Sequence, residues 1–155
     1  MITKQEYLIV EDVKNNFTYH YDRDKYDRRD AWYVMYTYPY EGDCEDYALT
    51  CLYNLKGRSW FNFWKSLLLR ESKIVYCKSP SGGGHAVLKY KGMYIDNWDK
   101  EFVKKSHMVS VGYNFSSWMY IPYQVAIKLL YAKLGFDSNI RNHRGRRGVQ
   151  LRRKF

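Results

Sequence analysis

A two-residue loop fixes the register of a hairpin in the middle of the chain. Two β-prone runs, HAVLKY and MYID, are joined by Lys91-Gly92, a loop length typical of β-hairpins. This loop places Val87 opposite Asp96, and His85, two residues further along the same strand, shares a sheet face with Asp96. We therefore expect His85 and Asp96 to be diagonal neighbours, with Asp96 accepting the ring N–H of His85.

A cysteine lies at the start of a predicted helix in the run GDCEDYA, residues 42–48. Apolar residues then recur at three- and four-residue spacing up to Leu55, and Gly57 is a plausible helix end. A helix start offers unpaired N–H groups and a partial positive charge. We therefore expect the pKa of Cys44 to be lowered, as a thiol nucleophile requires.

Each of these residues also has an ordinary structural explanation. A lone cysteine near a helix start is more often a small core residue, a strand histidine is more often structural, and an aspartate before an asparagine often belongs to a turn. The combination is more restrictive. A helix-start Cys44, a strand-start His85 behind three glycines and a facing Asp96, in that order, indicate a nucleophile, a general base and an orienting carboxylate.

The run GDCEDYA, followed by HAVL and a strand ending in IDN, resembles the bacterial transglutaminase-like cysteine peptidases of the papain-like superfamily. The resemblance covers about residues 32–99. It implies an α+β fold with a papain-like core, in which a Cys-bearing helix packs on a small antiparallel sheet. By carry-over, Cys44 would be the nucleophile, His85 the general base and acid, and Asp96 the orienting carboxylate. The implied substrate is a protein or peptide amide.

The same resemblance raises the question of calcium. One known family member is a protease that needs calcium, bound by acids next to the nucleophile, and the matching positions here are Asp43 and Glu45, with Asp46 nearby. Calcium takes about six to eight oxygen ligands, and the sequence offers only this local acidic cluster. The alternative, which we favour, is that Asp43 caps the helix while Glu45 and Asp46 complement its dipole. No other cofactor is predicted.

Positive charge is concentrated at the C-terminus. The formal net charge of the 155 residues is +10, and residues 141–155 hold seven cationic side chains without an acidic one: Arg141, Arg144, Arg146, Arg147, Arg152, Arg153 and Lys154. A cationic segment of this kind binds polyanions without needing a fold. We divide the chain into a domain at 1–138 and a basic tail at 139–155. The tail either anchors the protein to a partner, which would be nucleic acid or an acidic protein surface, or serves as a solubilising end.

Composition narrows the class of protein. With 46% hydrophobic and 19% aromatic residues, the domain can bury a core and is not expected to be disordered. The sequence has neither an apolar run of about 18 residues nor a secretory signal at its start, so we predict a cytoplasmic protein that does not cross a membrane. The three cysteines do not have the spacing of a zinc site. Cys51 and Cys77 are predicted to be buried core thiols. The alternative for Cys51 is that it pairs with Cys44 in a metal or redox site.

Several further elements follow from local patterns. Helices are predicted at 59–70 and 122–134 and a strand at 73–77. Residues 7–13 favour a short helix or strand. The composition of residues 31–40 favours a strand, and residues 98–121 are predicted to be irregular. Trp32 and Tyr40 are predicted to lie in the core, with a cleft wall as the alternative. The N–H of Cys44 is a candidate oxyanion donor.

Two functions are compatible with these patterns. The first is a cysteine peptidase or amidase that works through Cys44, His85 and Asp96. The second is a structural or interaction protein that keeps the fold and acts through its surface and tail. A small chain with 17 tyrosines and many lysines suits a bacteriophage product, such as a virion or assembly component, located in the host cytoplasm or the virion. A nonspecific nucleic-acid-binding protein, suggested by the tail alone, ranks below both.

Overall fold

The structure, a computed structural model, describes residues 1–21 and 31–135. The predicted basic tail at 139–155 lies outside the described residues. In chain order the elements are α1 (Lys4–Asn15), β1 (Phe17–Tyr19), β2 (Tyr40–Gly42), α2 (Cys44–Leu55), α3 (Trp60–Leu68), β3 (Ser72–Lys78), β4 (Gly84–Tyr90), β5 (Met93–Ile95), α4 (Lys105–Ser110), β6 (Asn114–Tyr120) and α5 (Pro122–Leu134).

The main sheet has four antiparallel strands in the order β5-β4-β3-β6. Tyr90 pairs with Met93 and Leu88 with Ile95, so the predicted hairpin register is confirmed. A separate two-stranded parallel sheet joins β1 to β2. Helix α2, which begins at Cys44, packs against β4. The fold is therefore α+β, with the Cys-bearing helix on an antiparallel sheet as predicted.

The main sheet has different surroundings on its two faces. Ala86 and Leu88 of β4 belong to the large core that includes α1, α2 and α3. Val87 belongs to a smaller cluster on the opposite face, which includes Cys77 and Tyr113. Because side chains alternate along a strand, His85 follows Val87 to the smaller cluster. The predicted shared face of His85 and Asp96 is thus the face turned away from the large core.

The entry to α2 is shaped by a close contact at Gly42. A Cβ added at Gly42 would lie 2.3 Å from Oδ2 of Asp46, so only glycine lets β2 run directly into the helix. Asp43 is the N-cap and forms a capping box with Asp46. The prediction that Asp43 caps this helix is confirmed.

Residues 31–39 are not a strand, although their composition predicts one; the strand begins only at Tyr40. The backbone N–H of Tyr33 donates to Oδ1 of Asp46 (2.7 Å), and the N–H of Met35 donates to Oγ1 of Thr50 (3.0 Å). Side chains of α2 thus accept hydrogen bonds from backbone N–H groups that would otherwise donate to a neighbouring strand. This part of the prediction is wrong because a non-local contact overrides β propensity.

The region 98–121 is more ordered than predicted, since it contains α4 and β6. Strand β6 is held by pairing with β3, which is about forty residues earlier in the chain. At the N-terminus, α1 is a full helix from Lys4 to Asn15 with a capping box between Thr3 and Glu6. The predicted helices and strand at 59–70, 122–134 and 73–77 are present within one or two residues of their predicted bounds.

The predicted core residues are buried. Trp32 and Tyr40 are each 1% exposed, so both belong to the core. Trp32 also lines a cavity with residues of α3 and α5, but Cys44 is not part of that lining. Cys51 and Cys77 are fully buried free thiols, as predicted. Over residues 1–21 and 31–135, no helix is long and apolar enough to span a bilayer.

Candidate functional site

His85 and Asp96 form a buried hydrogen-bonded pair. The distance from Nε2 of His85 to Oδ2 of Asp96 is 3.0 Å, and the two residues are 5% and 0% exposed. A carboxylate only accepts hydrogen bonds, so Nε2 carries the proton and Nδ1 is left as a base. The predicted contact between these two residues is confirmed.

Asp96 receives two further hydrogen bonds. The hydroxyl of Tyr113 donates to Oδ2, the same oxygen that accepts from His85, at 2.5 Å. The backbone N–H of Asp99 donates to Oδ1 at 2.9 Å. Burial raises the pKa of the Asp96 carboxyl, but the hydrogen bonds from His85, Tyr113 and Asp99 outweigh burial and hold this pKa below its usual value. Asp96 is therefore a stable buried anion.

Cys44 is the first residue of α2 and is 8% exposed. Its thiol donates to Oε2 of Glu45 at 3.0 Å. Burial, followed by the negative charges of Glu45 and Asp43, raises the pKa of the Cys44 thiol well above its usual range. Only the N–H of Ala86 acts in the opposite direction among the main causes.

The predicted lowering of the Cys44 pKa is therefore wrong for this arrangement. The expected benefit of the helix start is lost because the N–H groups of Glu45 and Asp46 both donate to Oδ1 of Asp43. The same cap that begins the helix thus consumes its donors and brings a carboxylate close to the sulfur. The thiol is stabilised in its neutral form.

The three predicted catalytic residues are brought together only in part. The sulfur of Cys44 lies against the N–H of Ala86, the residue that follows His85 in β4. Within the described part of the chain, Cys44 bonds to Glu45 and His85 bonds to Asp96, and no side-chain hydrogen bond joins Cys44 to His85. The structure thus brings His85 and Asp96 together as a dyad, whereas Cys44 belongs to the large core on the other face of the sheet.

The acidic cluster does not fit a calcium ion. Ligand atoms of Asp43, Cys44 and Glu45 lie within 4.8 Å of one another, but one of these three is a sulfur, which calcium does not favour. Asp46, the third predicted ligand, is fully buried. Its Oδ1 accepts from Tyr33 and its Oδ2 from the N–H of Asp43. Two remaining carboxylates do not supply the oxygen shell of calcium.

The N–H of Cys44 has no acceptor among the residues for which the structure gives positions. It lies at the first helical position, where an N–H has no partner within the helix. This is the donor that the sequence suggests for an oxyanion.

The other two thiols are poor nucleophiles. Burial raises the pKa of Cys51 to about 12. Burial and then the charge of Asp96 raise the pKa of Cys77 to about 12. Cys51 and Cys44 do not share a metal-ligand group among the described residues, where the one such group is Asp43, Cys44 and Glu45.

Two contacts of the candidate site were not predicted from the sequence. Glu45 is the hydrogen-bond acceptor of the Cys44 thiol, and its position next to the cysteine is the only sequence signal for that contact. Tyr113 binds Asp96, but it is one of 17 tyrosines and lies in a region predicted to be irregular, so nothing in the sequence singles it out.

The chain matches no family model and no curated protein.

Proposed function

We propose that the protein is a cysteine peptidase or amidase with a papain-like, transglutaminase-like core, acting on a protein or peptide amide. The observation that carries this proposal is the buried hydrogen bond between His85 and Asp96 at 3.0 Å, with His85 on the strand that packs against the helix that begins at Cys44. A buried carboxylate that fixes a histidine tautomer is the support that a general base requires. A core that serves only to stabilise the fold does not need such a buried charged pair.

In the proposed reaction the thiol proton of Cys44 passes to Nδ1 of His85. The thiolate attacks the amide carbonyl carbon, and the oxyanion accepts a hydrogen bond from the N–H of Cys44. Collapse of this intermediate breaks the C–N bond, and the leaving amine takes the proton from Nδ1. Water, deprotonated by Nδ1, then attacks the thioester and releases the acid, and the proton returns to the thiol. An amine in place of water would give transfer.

This reaction requires the Cys44 thiol to leave Glu45. In the described arrangement the thiol donates to Glu45 and its neutral form is favoured. The sulfur lies against the N–H of Ala86 in the large core, whereas the His85 ring lies against Tyr113 on the other face of the sheet. The reaction therefore also requires Cys44 and His85 to approach each other at the start of β4. Calcium is assigned no step, because the acidic cluster does not complete its ligand shell.

Cleavage of a defined peptide library, followed by mass spectrometry, tests the proposal. We expect new termini with the wild-type protein and none with Cys44→Ala. Cys51→Ala is the matched control, since it removes a buried thiol from the same helix and should retain cleavage. Equal product formation by wild type and Cys44→Ala would overturn the proposal, as would the lack of cleavage by wild type across the library.

A second function is favoured by the state of the thiol. A buried cysteine with a raised pKa suits a structural or interaction protein that retains the fold, such as a virion or assembly component. In that case the basic tail would hold nucleic acid or an acidic protein. Cys44→Ala would then preserve assembly or binding, and deletion of residues 139–155 would sharply reduce salt-sensitive retention on a heparin column. Unchanged retention after the deletion would exclude the tail as an anchor.

A further inference from the structure

We infer that Tyr113 is a positioning residue for the His85–Asp96 pair, an inference that rests on the proposed function. Its hydroxyl and the imidazole of His85 bond the same oxygen of the same buried carboxylate. Tyr113 thereby holds Asp96 in the orientation that keeps the proton of His85 on Nε2 and leaves Nδ1 free to accept the thiol proton.

The geometry around Asp96 leaves the carboxylate little freedom. Oδ2 accepts from Tyr113 at 2.5 Å and from His85 at 3.0 Å, and Oδ1 accepts from the N–H of Asp99 at 2.9 Å. Asp96 is 0% exposed, so solvent does not compete for these positions. Rotation of the carboxylate would break all three bonds, and the shortest of them is the charge-assisted bond from Tyr113.

The fold places Tyr113 through a turn at the end of α4. Gly112 has a φ of 107°, which side chains larger than hydrogen rarely adopt, and the N–H of Tyr113 donates to the carbonyl of Met108 at 3.0 Å. The chain thus reverses direction and enters β6 with Tyr113 beneath the sheet. The ring of Tyr113 is 4% exposed and lies 5.6 Å from the ring of His85, centre to centre.

The chemical effect of the phenol is to share the negative charge of Asp96. Without the phenol, the carboxylate would keep only the bonds from His85 and the Asp99 N–H and would be freer to turn away from Nε2. With the phenol in place, Oδ2 still accepts from Nε2, but part of its charge is used by Tyr113. The imidazole is thereby held in one tautomer.

The Tyr113→Phe variant tests this role, because it keeps the buried ring and removes only the hydroxyl. We expect kcat/KM for peptide cleavage to fall about tenfold, with KM little changed and the acid limb of the pH–rate profile displaced. We also expect the ring ¹⁵N shifts of His85 to report a smaller fraction of the Nε2–H tautomer. A residue that only fills space would move neither the pH–rate profile nor the tautomer.

Tyr94→Phe is the matched control. Tyr94 belongs to the same buried cluster, and its hydroxyl makes no hydrogen bond with the residues that the structure describes. This variant should leave the kinetics and the His85 ¹⁵N shifts at wild-type values. Wild-type ¹⁵N shifts in folded Tyr113→Phe would overturn the inference.

The ¹⁵N measurement needs no turnover, so it separates the two proposals. A wild-type protein that cleaves no peptide but shows the tautomer change in Tyr113→Phe would overturn the proposed function and support the role of Tyr113. If Tyr113→Phe does not fold, the hydroxyl proton of Tyr113 in the wild-type protein decides. A slowly exchanging, downfield proton supports the inference, and rapid exchange with solvent overturns it.

Discussion

The two halves of the candidate site are built from the same kinds of group but favour opposite protonation states. Around Asp96, three donors converge on a buried carboxylate, and they lower its pKa despite its burial. Around Cys44, two carboxylates flank a buried thiol, and they raise its pKa. Burial acts against the charged form in both places. The neighbours decide the outcome, so the Asp96 carboxyl is held charged while the Cys44 thiol is held neutral.

This difference places the control of reactivity at the first turn of α2. In the proposed reaction, Asp96 already fixes the tautomer of His85, but the His85 ring lies on the sheet face opposite the large core that holds Cys44. Cys44 must exchange Glu45 for His85 before it can be ionised. Substitutions that act on one half at a time show whether the two halves behave as differently as their surroundings indicate.

The largest effect is expected for Asp96→Ala. This change leaves the His85 ring, the Tyr113 hydroxyl and the Asp99 N–H without their acceptor in a buried site, and the free energy of unfolding should fall by about 3–5 kcal/mol. Urea denaturation followed by circular dichroism measures it. Asp99→Ala is the control, because it keeps the N–H that bonds Asp96 and should cost less than about 1 kcal/mol. Similar losses in both variants would show that the dyad is not a tightly bonded unit.

Next in size is Gly42→Ala at the entry to α2. The new methyl group would lie 2.3 Å from Oδ2 of Asp46, so the capping box must shift, at a cost of about 1–3 kcal/mol. Gly83→Ala is the matched control, because the nearest atom to its added Cβ is Oγ of Ser79 at 3.8 Å. Thermal unfolding of both variants checks the difference. Equal melting temperatures would mean that the start of the Cys-bearing helix is not constrained by this contact.

A smaller effect is expected in the dependence of stability on pH. Because the folded-state pKa of Asp96 is lowered from its ordinary value of 3.8, its contribution is present above that value and is lost as the pH falls through the lower folded-state pKa. The wild-type protein should therefore lose stability below about pH 4 more steeply than Asp96→Asn. Glu6 remains in both proteins. Its partial burial raises its pKa, but hydrogen bonds from Lys91, Thr3 and Tyr90 outweigh burial and lower this pKa to about 2. Parallel curves for the two proteins would contradict the low Asp96 pKa.

The smallest change is expected for Glu45→Gln, which acts on the thiol half alone. Removing this charge eliminates one cause of the raised Cys44 pKa, so alkylation of Cys44 at pH 7 should be about tenfold faster. Rates are measured by mass spectrometry of the peptide that contains Cys44. Glu11→Gln, an exposed position on α1, should leave the rate unchanged. An unchanged rate in Glu45→Gln would show that Glu45 does not hold the thiol in its neutral form.

Local patterns account well for the dyad and poorly for what surrounds it. The hairpin register follows from a two-residue loop, so the contact between His85 and Asp96 is predictable from spacing alone. The start of α2 is equally local, since Gly42, Asp43 and Asp46 adjoin it. The state of Cys44 is harder to predict, because a helix start and two adjacent acids act in opposite directions, and burial determines which of them dominates.

Non-local contacts explain the remaining errors. Residues 31–39 have strand composition, but their N–H groups meet Asp46 and Thr50 of α2. Tyr113 reaches Asp96 only because α4 packs on the sheet and β6 joins the sheet beside β3, and neither element is evident in the aromatic region at 98–121. Periodicity detects an element with one buried face, whereas contacts made across the sheet depend on tertiary structure.

The most direct test of the central claim is the rate of iodoacetamide labelling of Cys44 as a function of pH, in the wild-type protein and in His85→Ala. If an imidazole ionises this thiol, Cys44 will label faster than Cys51 and Cys77 near neutral pH, and His85→Ala will lose that excess, by about tenfold. Labelling of Cys44 that is no faster than that of the two core thiols, and that is unaffected by His85→Ala, would contradict the claim.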